Sequence, residues 1–168
     1  FGLIRDYKGL DTLLDAWQEF RRDGHKLLIA GEFYASRDKY MEQIKRLGLQ
    51  DDIVLHDFFV ADSDVRYYFS AADCVVLPYK TATQSGVTQI CYNFCTPVIV
   101  TRVGGLAEIV PDGKVGFVCD PSAEGVRMLS NGYMREIPLN ASRRICLRSA
   151  NASRGRQCAI LSKSSIKN

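Results

Sequence analysis

Residues 74–110, CVVLPYKTATQSGVTQICYNFCTPVIVTRVGGLAEIV, decide how the rest of the chain is read. CVVLPY (74–79) is a short, continuous apolar run, the pattern of a parallel strand covered on both faces. Lys80, Thr81, Thr83, Gln84, Ser85 and Gly86 follow as a polar loop where a helix should begin. A helix N-terminus presents unpaired N–H groups and the positive end of a dipole, so this position can hold an anion such as a diphosphate. Val87, Ile90, Cys91 and Phe94 recur at helical spacing and predict a helix over 86–95 with that face on the sheet. Pro97 ends the connection, 97–101 is the next strand, and Gly104 and Gly105 form a turn. In open α/β sheets ligands bind outside the carboxyl ends of the strands. Two such loops, one with Gln-Ser-Gly and one with Gly-Gly, point to a phosphate-bearing ligand.

The same alternation extends outward in both directions. FGLIRDYKG reads as the end of a strand, whose beginning is missing, and its loop. Leu10, Leu13, Leu14, Trp17 and Phe20 then follow helical spacing from a start at Asp6 or Gly9 to a stop at Gly24. Strands are expected at 26–31, 53–58 and 116–120. Tyr40, Ile44 and Leu47 mark a helix stopped by Gly48, and Val65, Tyr68, Phe69 and Ala72 mark another, capped by Asp62 or Ser63. Strands alternating with helices of this length predict an α/β fold, a Rossmann-like parallel sheet flanked by helices with right-handed crossovers. No G-x-G-x-x-G follows a strand, which argues against NAD or FAD.

Composition narrows the class further. The 168 residues are 46% hydrophobic and 24% charged, as in a soluble globular domain, and no stretch has the length and apolarity of a membrane span. The net charge of +3 is unevenly spread: 13 Lys+Arg and 17 Asp+Glu give −4 over 1–121, and 9 and 2 give +7 over 122–168. None of the six cysteines forms a C-x-x-C pair and only His25 and His56 are present, so no metal site is expected. Cys74, Cys91, Cys95, Cys119, Cys146 and Cys158 are read as small apolar residues in a reducing compartment.

After Pro121 the character changes. A helix can begin over 122–129, but the remainder is serine- and arginine-rich without a sustained apolar period. The expected division is therefore a domain over 1–121, truncated at its first strand, and an irregular basic tail over 122–168, disordered or the product of a shifted reading frame. The tail lacks the aromatic interleaving of a nucleic-acid binder, and no nucleic-acid partner is expected. Asn140-Ala-Ser and Asn151-Ala-Ser match the glycosylation triplet, but no secretory signal opens the sequence.

Several segments together resemble the C-terminal, donor-binding domain of GT-B fold glycosyltransferases of the group 1 type, glycosyltransferase family 4. FGLIRDYKG is similar to the family's Gly-x-(x)-Arg-x-x-Lys-Gly segment through Gly2, Arg5, Lys8 and Gly9. LLIAGE (27–32), the Ala-Asp…Pro-Tyr run ending at Tyr79, and TPVIVTRVGGLAEIVPDGKVGFV (96–118) match in order over about three-quarters of the chain. The resemblance implies transfer of a sugar from a nucleotide-activated donor, with retention of configuration, no metal and no cofactor beyond the donor. It implies a UDP-, GDP- or ADP-sugar as donor. The acceptor, a sugar or lipid-linked glycan, would be held by an N-terminal domain absent here. The location implied is cytoplasmic, extending to the inner face of a membrane.

By the same resemblance Arg5 and Lys8 clamp the donor diphosphate, with Ser85 and Gly86 at the helix start. Fixed positive charge there would stabilise the charge developing on a nucleoside diphosphate leaving group. Gln84, Gln89, Gly104, Gly105 and Glu108 are the expected sugar and ribose contacts, although Glu108 reads first as a structural acid near a helix start. One departure stands out: the family's two glutamates, seven residues apart, fall on Ala82 and Ile90. No catalytic residue is assigned. The alternative is a Rossmann-like nucleotide-binding or interaction module without chemistry; an epimerase or phosphorylase of the same fold lacks the His, acidic or lysine motifs it would need.

Overall fold

Runs rich in Val, Ile and Leu form the strands of the computed structural model, which describes residues 1–20, 25–34 and 36–136. In chain order the described elements are a 3-10 turn at Asp6–Lys8, α1 (Leu10–Phe20), β1 (Leu27–Ala30), α2 (Arg37–Arg46), β2 (Ile53–His56), α3 (Val65–Ala71), β3 (Val75–Leu77), α4 (Gly86–Asn93), β4 (Val98–Thr101), α5 (Leu106–Ile109), β5 (Gly116–Cys119) and α6 (Ala123–Glu136). All pairings between these strands are parallel.

The strands form two sheets rather than one. β1 pairs with β2, Leu27 opposite Ile53, and β3-β4-β5 form the second sheet, Val75 opposite Val98 and Val98 opposite Gly116. The opening segment lies between them. Gly2 N–H donates to Ala30 O at 2.9 Å, Ile4 N–H to Glu32 O at 2.8 Å, and Lys80 N–H to Tyr7 O at 2.8 Å. The segment thus joins the sheets only near the carboxyl ends of β1 and β3, and Ile4 makes a single parallel bridge with Phe33. The division has a simple cause: among the described residues no strand lies between β1 and β3.

β4 is central in its sheet and buried along its length. Alternation along the strand sorts its side chains between two layers. Ile99 packs with Leu14, Trp17, Tyr40 and Val126 from α1, α2 and α6, whereas Val98 and Val100 pack with Phe69, Cys91 and Leu106 from α3, α4 and α5. The helical spacing on α1 is met, with Leu10, Leu13, Leu14 and Trp17 all buried. The Phe20 side chain and Gly24 lie outside the described residues.

Several boundaries differ from expectation. β3 ends at Leu77 because Pro78 has no N–H for the ladder and Lys80 bonds instead to Tyr7. β2 stops at His56, leaving Phe58 exposed. α3 is capped by neither Asp62 nor Ser63: its N-cap is Asp64, whose N–H closes a turn onto Ala61 O, and no side-chain cap bond forms there. Finally, helix continues past 129 to Glu136, so the segment after Pro121 is not irregular throughout. Val126 is fully buried against α1, and Arg127 pairs with Glu19 at 3.0 Å. The tail from 137 onward, with both glycosylation triplets, Cys146 and Cys158, lies outside the described residues. Cys91, Cys95 and Cys119 are buried, no disulfide joins them or Cys74 among the described residues, and burial pushes the Cys74 thiol up to about 12.

Candidate functional site

Three loops leave the carboxyl ends of strands on the same edge of the fold: 5–9 after the opening segment, 80–85 after β3, and 102–105 after β4. Small residues let the second and third close on each other. Gly105 N–H donates to Thr83 O at 3.1 Å. A Cβ on Gly104, whose φ is 49°, would lie 1.5 Å from Ala82 O, and one on Gly105 would lie 2.7 Å from Thr83 O. Thr101 Oγ1 donates to Tyr79 O at 2.6 Å and ties the two strand ends beneath. The first loop joins through Tyr7, which accepts from Lys80 N–H and sets its ring edge-on to Tyr79. Gly9 fits against Pro78, where a Cβ would meet the carbonyl oxygen at 1.9 Å.

α4 starts at the centre of this cluster. Ser85 is its N-cap, extended in backbone, with Oγ accepting from Val87 N–H at 3.3 Å. The buried Tyr79 hydroxyl lies 3.1 Å from the same Oγ, and Thr88 Oγ1 donates to Ser85 O at 2.6 Å. Ser85 therefore holds the helix start in place with its side chain, while Gly86 stays exposed with open space where a Cβ would stand. Gln84 and Gln89 are exposed, as is Glu108 in the first turn of α5. Sequence reasoning missed Tyr79 and Tyr7 as positioning groups. The signal was available as aromatics at the end of a strand and in the facing loop, but where they point is a tertiary fact.

The cations at this edge sort into two kinds. Lys80 is paired with Asp11 at 2.6 Å and Lys39 with Asp6 at 3.1 Å. Neither Arg5 nor Lys8 has a carboxylate within ion-pair distance among the described residues. The Arg5 guanidinium lies 4.2 Å from the centre of the exposed Tyr34 ring. Lys8 is half-buried beside Gly2, and desolvation, with a smaller contribution from Arg5, lowers its pKa from the ordinary lysine value. A desolvated cation beside a second cation gains from an anion, which would relieve both costs. A cavity of about 550 Å³ opens between the two sheets and is lined by Lys8 but by none of Arg5, Ser85, Gly86 and Gly104, so this cavity is not the loop cluster. Among the described residues no group of three or more His, Cys, Asp or Glu could hold a metal, and no helix is long and apolar enough to cross a membrane.

This fold and loop arrangement define a class. The family model for glycosyl transferases group 1 matches residues 1–130, and the chain belongs to that family. It is similar to D-inositol 3-phosphate glycosyltransferase of Segniliparus rotundus, 32% identical over 125 residues that make up 71% of this chain and 27% of the relative. It is also similar to GDP-mannose:glycolipid 4-beta-D-mannosyltransferase of Xanthomonas campestris pv. campestris, 26% identical over 82% of this chain and 39% of the relative. The chain thus spans about a quarter to two-fifths of the length of these relatives. Among solved structures, Anabaena Alr3699/HepE in complex with UDP aligns at a TM-score of 0.74 and 22% identity, covering 88% of this chain and 42% of that one. The C-terminal domain of a glycosyl transferase group 1 family protein (LpcC) from Francisella tularensis aligns at 0.71 and 20% identity, with 82% of its length covered. The fold is that of the C-terminal half of a GT-B glycosyltransferase.

Proposed function

We propose that this chain is the donor-binding half of a retaining glycosyltransferase that moves a sugar from a nucleoside-diphospho-sugar to an acceptor. The observation that carries the reading is the charge pattern: Lys39 and Lys80 are neutralised by carboxylates, whereas Arg5 and Lys8, on the loop that packs against Pro78 and Tyr79, are left for an anion. Arg5 and Lys8 clamp the diphosphate, with Ser85 and Gly86 at the start of α4 completing the cradle. Fixed charge and oriented N–H groups there stabilise the departing nucleoside diphosphate without a metal. Gln84, Gln89, Gly104, Gly105 and Glu108 read the sugar and ribose, Gln84 and Gln89 standing in for the carboxylates lost at Ala82 and Ile90. One relative is a GDP-mannose-dependent mannosyltransferase and a similar solved structure is a complex with UDP, which supports a nucleotide-sugar donor.

The acceptor, a sugar or lipid-linked glycan, is met by a second domain across the cleft, at the cytoplasmic side or the inner face of a membrane. This chain alone binds nucleotide weakly and transfers no sugar. Calorimetry with UDP, GDP and ADP tests the reading: one preferred diphosphate is expected. Absence of heat with all three would support the module without chemistry, which the loss of both glutamates favours. Sugar transfer by the purified 168-residue chain would overturn the claim of inactivity.

A further inference from the structure

Loop 5–9 carries a carboxylate between Arg5 and Lys8, and that carboxylate is turned away from both. Asp6 follows Arg5 directly and opens the 3-10 turn that ends at Lys8. Adjacent Cα atoms are about 3.8 Å apart, so rotation of the Asp6 side chain would bring its carboxylate to either cation. Instead Asp6 Oδ1 accepts from Lys39 Nζ at 3.1 Å and from the Tyr40 hydroxyl at 3.0 Å, both on α2. The two donors differ in firmness. Lys39 is exposed and ends a flexible four-carbon stem. Tyr40 is 1% exposed, its ring centre 5.6 Å from that of Phe33 in the layer that holds Leu14 and Ile99. A ring packed in this way gives its hydroxyl a fixed direction. Burial and the bond to Asp6 push the Tyr40 hydroxyl up from its ordinary value, so it stays protonated and donates. The hydrogen bonds from Lys39 and then Tyr40 draw Asp6 below the ordinary carboxylate value, so it stays charged. On the loop's other side, the Tyr7 ring stands edge-on to Tyr79.

We propose that Tyr40 is a positioning residue for the anion site: its hydroxyl tethers the Asp6 carboxylate to α2 and so leaves Arg5 and Lys8 open to an incoming diphosphate. The role rests on the diphosphate reading of this loop. Released from Tyr40, Asp6 folds back on Arg5 or Lys8, and a ligand must then displace a carboxylate of the chain itself. At an unpaired cation an anion gains the whole charge-assisted contact; at a paired one it gains only the difference. Tyr40 touches no ligand and acts through Asp6. The competing view is that the Asp6–Tyr40 bond is a strut that only holds loop 5–9 against α2. The two views part where the charge of Asp6 is removed. A tether without a charge to restrain is dispensable, whereas a strut is not. An Asn at this place keeps the shape and an acceptor oxygen but has no charge with which to compete.

Two measurements on the 168-residue chain test the proposal: calorimetry with UDP, GDP and ADP, and NMR titration of the Lys8 side chain with no nucleotide present. Tyr40→Phe keeps the buried ring and is expected to weaken the preferred diphosphate about tenfold and to raise the Lys8 pKa. Adding Asp6→Asn to Tyr40→Phe is expected to restore both. Asp6→Ala alone, which leaves Tyr40 and the core intact, should bind within about threefold of the unsubstituted chain or more tightly. A double variant as weak as Tyr40→Phe overturns the tether. So does a Lys8 pKa that Tyr40→Phe leaves in place, or a loss of about tenfold in Asp6→Ala. In each of these cases binding by the unsubstituted chain leaves the diphosphate reading standing. No binding of any of the three by the unsubstituted chain overturns that reading, and with it the role of Tyr40, even where the Lys8 titration moves as expected.

Discussion

Gly104 sets the tolerance of the loop cluster. It adopts φ 49°, and a Cβ there would stand 1.5 Å from Ala82 O, a backbone atom that cannot swing aside. Gly104→Ala is expected to cost roughly 1–3 kcal/mol or more in chemical denaturation, combining left-handed strain with collision. Gly86→Ala, with open space around it, should stay within about 1 kcal/mol. Arg5 and Lys8 belong to the same scale. Each makes a charge-assisted contact with diphosphate in the proposed site, worth about 1.5–3 kcal/mol, so Lys8→Ala should weaken nucleotide binding roughly tenfold or more in calorimetry. An equal affinity for wild type and Lys8→Ala would remove Lys8 from the site. These glycines and cations were legible as motif members. The carboxylate pairing that separates Lys8 from Lys80 was not, because Lys80 and Asp11 are distant in sequence.

At the level of elements, α4 depends on its cap. Ser85→Ala removes the acceptor for Val87 N–H and the partner of the Tyr79 hydroxyl, and should cost about 1 kcal/mol. Tyr79→Phe keeps the ring and the cap but removes the hydroxyl, and should cost about 0.5–1.5 kcal/mol in urea melts. A Tyr79→Phe variant with unchanged stability would mean that its hydroxyl does not hold Ser85. The strand–helix–strand unit over 74–110 was readable because continuous apolar runs and a polar helix start are local signals. The length of α6 was not: AEGVRMLSNGYMRE contains two glycines, so its propensity is poor and packing of Val126 on α1 decides it. Capping at Asp64 rather than at Asp62 or Ser63 likewise follows from the turn at Ala61, which composition alone does not specify.

On the scale of the whole molecule, parallel strands and covering helices were legible from alternation, while the separation into two sheets came from what lies between β1 and β3. That gap carries a pH signature. The Phe1 amine has an ordinary value of 8.0 and is lowered to about 6 in the folded chain, chiefly by desolvation. Between these values the unfolded chain holds a proton that the folded chain has shed. Stability is therefore highest above about pH 8 and falls as pH drops toward 6, by at most about 3 kcal/mol from this group. Thermal melts of the 168-residue chain with and without acetylation of Phe1 should differ in slope across this window. Identical slopes would place the amine in water.

The central claim is that the loop cluster, and not the groove between the sheets, receives a nucleoside diphosphate. Titrating the 15N-labelled chain with UDP, GDP and ADP while following backbone amides tests this most directly. With the preferred nucleotide the amides of Gly86, Gly104 and Gly105 are predicted to shift and saturate together while those of Leu28, Val54 and Val76 stay in place. Shifts confined to the groove residues, or no saturable shift with any of the three, would contradict the account.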